Sequence, residues 1–168
     1  PVTTSVTIRL NQRAEDATVA SIISGPPAVA AERMSGPTSV RGAAAIDGDP
    51  TTAWIMPFGS ATGIPLTINT ESTPVSSFTL VQPVSDLYSP ITVLTIQSGA
   101  TRTTVAVPRA DASGRSLVTL PTPLAGSSMI ISVGSTNAQW RGERRYGEVI
   151  QLPAAIAEIE GLPLAPAD

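Results

Sequence analysis

The sequence predicts an all-β protein, an antiparallel β-sandwich of jelly-roll type with at most one short helix, and three observations carry that expectation. Apolar residues alternate with polar ones at period two over many short runs, as on strands that bury one face. Proline and glycine clusters interrupt these runs at close intervals, which is the punctuation of a sandwich. The 16 prolines also disfavour long helices, because proline inside a helix costs about 3 kcal/mol whereas turns and edge strands accept it.

Taken in order, Val6, Ile8 and Leu10 mark the first alternating run, and Thr18 to Ser24 reads as an additional strand. Pro26 to Met34 is the one helical candidate, with Pro27 at its start, Ala28 to Glu32 favouring helix, and Gly36-Pro37 stopping it within two turns. Further strands are expected around Ile64, Leu66 and Ile68, around Phe78 and Leu80, and around Ile91, Val93 and Thr95. Val105 and Val107 follow, then Leu117 and Leu120 around Val118, then Met129, Ile131 and Val133. Ser89-Pro90, Ser98-Gly99, Ser113-Gly114 and Pro121-Thr122-Pro123 supply the turns between them.

A chain of 168 residues fits one domain, 1–168, that can bury a core without staples. It contains no cysteine, which excludes disulfides, thiol catalysis and sulfur-held zinc. It also contains no histidine, so a Ser-His-Asp triad, a His general base and a His-held zinc are excluded. Carboxylate pairs remain open, and Asp86, Asp111, Glu143 and Glu148 are the loop candidates. A glycosidase would need two of them at about 5 to 9.5 Å across a groove, whereas solvated surface acids are the plainer reading.

The net charge of -3 and the lack of a basic cluster argue against a nucleic-acid partner. No apolar run reaches the roughly 18 to 20 residues of a membrane span, so no direct membrane insertion is expected. The start at Pro1 and the Leu162-to-Asp168 end read as a domain excised from a larger parent. All ten basic residues are arginine, a bias that fits a GC-rich genome such as an actinobacterial one.

Ala45-Ile46-Asp47-Gly48-Asp49-Pro50-Thr51-Thr52-Ala53-Trp54 gathers hard oxygen donors around a glycine that admits a tight turn. Carboxylates from Asp47 and Asp49 and the Thr52 hydroxyl suit calcium. An EF-hand loop does not fit, since counting from Asp47 puts Thr52 where that loop needs glycine and Phe58 where it needs a bidentate glutamate. A turn held by hydrogen bonds without metal is the alternative.

This Ala-x-Asp-Gly-Asp-x-x-Thr-x-Trp run resembles the signature of discoidin-like domains, also called coagulation factor five/eight type C or galactose-binding-like domains. Ala154-Ala155-Ile156-Ala157-Glu158-Ile159-Glu160 is similar to the closing strand of that family, and the resemblance spans about residues 40 to 162. It implies a structural calcium held by the side chains of Asp47, Thr52 and Glu158 with turn carbonyls, including those of Ala44 and Asp49. It also implies that Trp54 packs at the sandwich edge and that ligands bind on loops at the end carrying the metal turn.

Trp140 lies in a polar stretch with Arg141, Glu143, Arg144, Arg145 and Tyr146. A flat apolar ring beside planar donors is what sugar recognition requires, so Trp140, Arg141, Arg144, Arg145 and Tyr146 are the candidate ligand-binding residues. The competing reading makes Trp140 a lid over the core with arginines stacked on it. The segments 143–148 and 152–159 further resemble extracytoplasmic modules of actinobacterial D-type arabinofuranosyltransferases. That resemblance implies a non-catalytic carbohydrate-binding or accessory module, facing a cell-wall polysaccharide such as arabinan and neighbouring domains of a membrane-anchored parent. The alternative is a scaffold domain that packs against its neighbours without binding sugar.

Overall fold

Buried and exposed side chains alternate along the strands of the computed structural model, which describes residues 11, 13–22, 28–59, 62–142 and 147–166. Among the described residues the elements are one helix, α1 (Asp16–Ala20), and twelve strands, with short 3-10 turns at Thr38–Val40 and Gly42–Ala45. The strands run β1 (Ala28–Ala30), β2 (Trp54–Ile55), β3 (Pro65–Asn69), β4 (Val75–Val81), β5 (Ile91–Ser98) and β6 (Thr101–Ala106). They continue with β7 (Arg115–Leu124), β8 (Ser128–Thr136), β9 (Trp140–Gly142), β10 (Val149–Gln151), β11 (Ala155–Ile156) and β12 (Glu158–Glu160). All described pairings are antiparallel.

Two sheets face each other. The larger has five strands in the order β1-β3-β8-β5-β6, the smaller three in the order β12-β4-β7. Register aligns the inward residues across strands, as in the buried row Ala30, Leu66, Ile131 and Ile96. Phe78, Leu80, Val118, Leu120 and Ile159 of the smaller sheet close the same core from the other side. Burying so many aliphatic side chains, each contributing about 1.5–3 kcal/mol, drives the two sheets together.

The prediction of an antiparallel sandwich with a short helix matches this architecture. Several local expectations do not. The stretch read as a strand over Thr18 to Ser24 begins inside α1, which ends at Ala20. The stretch read as a helix over Pro26 to Met34 contains β1 at Ala28–Ala30, because Ala28 and Ala30 pair with Ile68 and Leu66 and bury their small side chains there. Pairing with β3 outweighs the modest helix preference of alanine. Pro26 and Pro27 lie outside the described residues, as does the run Val6, Ile8 and Leu10.

In β5 a bulge between Ile91 and Leu94 inserts an unmatched residue and flips the inward set. Ile91, Leu94 and Ile96 are buried, while Val93 and Thr95, which simple alternation turned inward, are only half-buried. In β7 the core takes Val118 and Leu120, and Leu117 faces solvent at 62% exposure.

The N-terminal helix is fastened by Asp16, whose side chain is 2% exposed. Asp16 Oδ2 accepts the Ala30 N–H at 2.8 Å and the Gly42 N–H at 3.0 Å, so one carboxylate holds α1, β1 and the second 3-10 turn together. The Arg33 guanidinium lies 3.7 Å from Asp16 Oδ1, which balances a charge that burial alone would make costly. Gly42 sits where a Cβ would come within 2.5 Å of the Ala30 nitrogen and 2.8 Å of Leu66 Cδ1.

Asp111 organises the turn ahead of β7. Its Oδ1 accepts from the Ser113 hydroxyl at 2.7 Å, the Ser113 N–H at 2.8 Å and the Arg115 N–H at 3.0 Å. These bonds, the Ser113 hydroxyl first, hold its carboxyl below the usual aspartate range.

Two outcomes are expected. Gly42→Ala loses about 2 kcal/mol or more in urea unfolding, since backbone must move to admit the methyl group. Asp111→Asn melts below the wild type at neutral pH, and the gap closes as pH falls through the depressed Asp111 value, because the folded-state advantage of an acid with a lowered pKa exists only while it is ionised. Melting temperatures across an acid pH series measure both the gap and its closure.

Candidate functional site

Pro65 opposite Ser132 and Ile91 opposite Thr136 place the starts of β3 and β5 and the end of β8 together at one end of the larger sheet. The connections 56–64, 82–90 and 137–154 therefore gather there. β2 and β11 pair beside them, Ile55 with Ala155 and Trp54 with Ile156, and this short ladder carries the turn 45–54 into the same region.

The turn itself is closed by its own oxygen atoms. The Thr52 hydroxyl lies 2.9 Å from Asp47 Oδ2, 3.1 Å from Asp47 Oδ1 and 2.9 Å from the Asp49 carbonyl, and the Asp49 N–H donates to Asp47 Oδ1 at 3.0 Å. The Asp49 carboxylate is taken up by Thr51, whose hydroxyl and N–H hold its pKa low. Gly48 has φ +78°, a left-handed conformation that glycine adopts without strain, and this aims its N–H outward from the turn.

That N–H donates to Glu158 Oε2 at 2.9 Å, joining positions 110 residues apart. The convergence of the aspartate turn with Glu158, expected from two distant sequence fragments, is thus met. Glu158 is buried at 5% exposure, and it begins β12 opposite Val81. Desolvation pushes its carboxyl above the usual range, the Gly48 hydrogen bond opposes this, and the negative charge of Asp47 adds to it. The stretch predicted as one closing strand is divided at Ala157, so that β11 pairs with β2 and β12 with β4.

As a metal set, these groups are hard oxygen donors: carboxylates of Asp47 and Glu158, the Thr52 hydroxyl, and carbonyls of the turn that Ala44 and Asp49 belong to. Among the described residues no group of three acids converges, so carbonyl and hydroxyl oxygens would have to complete any coordination shell. A buried carboxylate whose neighbouring charge is also negative is the feature that fits a cation.

Trp54 is fully buried, with its indole N–H donating to the Glu32 carbonyl at 3.0 Å, in keeping with a packing role. Trp140 is different. It is 61% exposed and stands on a two-stranded hairpin of β9 and β10 within the predicted polar loop. Trp140 pairs with Gln151, and Arg141 with Ile150. Because side chains alternate along a strand, Trp140 and Arg141 occupy opposite faces of this hairpin. Arg144, Arg145, Tyr146 and Glu143 lie outside the described residues. Asp86 and Glu148 are exposed.

On the Arg141 side lies a cleft of about 570 Å³ that sequence reasoning missed. Phe58, Leu87, Tyr88, Ile150 and Leu152 line it with Arg141. With Met34, its residues come from five separated segments, and only register and tertiary contacts unite them. Ser89, buried beneath, donates its hydroxyl to the Leu152 carbonyl at 2.7 Å and accepts the Gln139 N–H at 3.0 Å, which fixes the base of the hairpin against the 82–90 connection.

No family model matches the chain, and no curated protein matches it. Solved structures do. The cryo-EM structure of arabinofuranosyltransferase AftD from Mycobacteria is 21% identical at TM-score 0.67, over 86% of this chain and 11% of that one, so this chain corresponds to about a tenth of its length. The family 32 carbohydrate-binding module of NanJ from C. perfringens, in complex with galactose, is 22% identical at TM-score 0.54, over 79% of this chain and 89% of that one. Chitosan-binding module 1 of a chitosanase/glucanase from Paenibacillus sp. IK-5 is 18% identical at TM-score 0.53, over 81% and 93% of the two chains. With its paired antiparallel sheets, its aspartate turn tied to the closing strand and these structural relatives, the chain has the galactose-binding-like, or discoidin-like, β-sandwich fold.

Proposed function

We propose that the chain is a non-catalytic carbohydrate-binding or accessory module of a larger, membrane-anchored, glycan-processing protein, and that it faces a cell-envelope polysaccharide such as arabinan outside the cytoplasm. The observation that carries this reading is Trp140. A large aromatic ring, 61% exposed on a paired hairpin, offers a flat apolar platform, with the Gln151 amide at the opposite strand position for hydroxyl groups. The likeness of the fold to modules that bind galactose and chitosan supports it, as does the likeness to part of an arabinofuranosyltransferase. Function in such sandwiches sits in the loops rather than the fold, so the ligand is a matter for direct test.

Calcium belongs to the same proposal. Its role would be structural, with Asp47, Thr52 and Glu158 as side-chain ligands and the carbonyls of Ala44 and Asp49 completing the set. A bound cation would neutralise the Asp47 and Glu158 charges that otherwise oppose each other across the clasp. This chain's own part is to hold the turn against β12 through the Gly48 to Glu158 hydrogen bond.

Two measurements test the proposal. Titration with arabinan oligosaccharides, followed by tryptophan fluorescence and calorimetry, gives saturable binding to the wild type and a loss of roughly tenfold or more in Trp140→Ala, since ring stacking of this kind contributes on the order of 1 kcal/mol or more. Absence of heat and spectral change at millimolar sugar refutes the binding role and leaves that of a scaffold. In chelator, Glu158→Gln melts at or above the wild type, because the amide keeps an acceptor for the Gly48 N–H and removes a buried charge. Added calcium then raises the melting temperature of the wild type alone, and an equal response of both proteins would refute the metal site.

A further inference from the structure

The cleft on the Arg141 face of the hairpin has a chemistry unlike that of the Trp140 platform. Phe58 and Leu87 leave 51% and 47% of their surface to water on its rim, and Ile150 and Leu152 form its floor with Tyr88. Water pays a free-energy penalty against such a contiguous apolar lining, so an exposed patch of this kind marks a binding surface. Its volume, about 570 Å³, falls within the range of pockets that take a single small molecule.

The polar groups are few. Among the described residues that line the cleft none is acidic, and Arg141 is the one charged side chain. Among the described residues the ion pairs are Arg33 with Asp16 and Arg115 with Glu160, and neither involves Arg141. A neutral sugar could meet the Arg141 donors and an aromatic ring, but it would set hydroxyl groups against the aliphatic wall of Leu87, Ile150 and Leu152 and bring no charge to the guanidinium. A free inorganic anion would meet Arg141 and leave the wall wet.

From the apolar lining and the Arg141 guanidinium we infer that this cleft binds a single-chain anionic amphiphile, with its apolar chain against Phe58, Leu87, Ile150 and Leu152 and its phosphate or carboxylate head on Arg141. The planar guanidinium is suited to a two-point contact with either head group. The inference is independent of the sugar reading, because the two surfaces lie on opposite faces of the hairpin.

Calorimetric titration with monomeric decyl phosphate, below its micelle threshold, tests it. Saturable one-to-one binding is expected, weakening about tenfold on shortening the chain by two methylenes, the size of effect that apolar burial gives. Decyl maltoside, with the same chain and no charge, and inorganic phosphate, with the charge and no chain, should each bind at least tenfold more weakly. Arg141→Gln should lose about tenfold for decyl phosphate and nothing for decyl maltoside. Leu87→Asp, at an exposed position, should abolish binding with the melting temperature retained. Trp140→Ala should leave amphiphile binding unchanged, which separates this inference from the glycan proposal. Equal binding of decyl maltoside, an unaffected Arg141→Gln protein, or no saturable binding of decyl phosphate would each overturn it.

Discussion

The hydrogen bond from Gly48 to Glu158 is the constraint on which the functional end of the molecule depends. It requires a left-handed glycine on one side and a carboxylate brought under cover on the other. Glu158 is placed by β12, which is held by β4, so the position of the turn is referred back to the smaller sheet. From the turn the chain enters β2, whose partner β11 leads directly into β12. The turn and the closing strand thus fix each other, and the connections that form the cleft and the hairpin are built around that closed circuit. Burial makes the carboxylate costly, and its proximity to Asp47 makes it costlier, so the tie is held under electrostatic load.

Asp16 performs a related task at the opposite end of the chain's order. Where Glu158 spends a buried acid on a turn, Asp16 of α1 spends one on the backbone N–H groups of Ala30 in β1 and Gly42 in the second 3-10 turn. Arg33 stands close to the remaining oxygen, and the same guanidinium donates to the Ala14 and Met34 carbonyls at 3.0 and 3.3 Å. Short, irregular segments are in this way secured by charged side chains, while the long strands rely on apolar contact.

How much of this the sequence disclosed follows from which interactions are local. The alternation in Ile64 to Ile68 and Met129 to Val133 was legible because each strand's period reflects its own buried face. The β5 bulge was not, since an unmatched residue is defined against β8 rather than by β5 alone. The alanines of β1 read as helix because their small side chains carry no signature of the strand they pair with. The aspartate turn and Glu158 were found through two fragments that match one family pattern, and Trp140 was singled out by its polar company. Its exposure could not be read, because ring placement depended on the β9 and β10 pairing. The cleft left no trace in any single stretch, as its walls come from separate connections that meet only in the folded chain.

The hairpin of β9 and β10 has a consequence for how this surface could diverge. Neighbouring residues on it, Trp140 and Arg141, serve opposite sides, so a shift of pairing by a single position would exchange them, turning the indole toward the apolar hollow and the guanidinium toward open solvent. Two chemically distinct faces could then swap character through one inserted or deleted residue in the connection between the strands, with both sheets left intact.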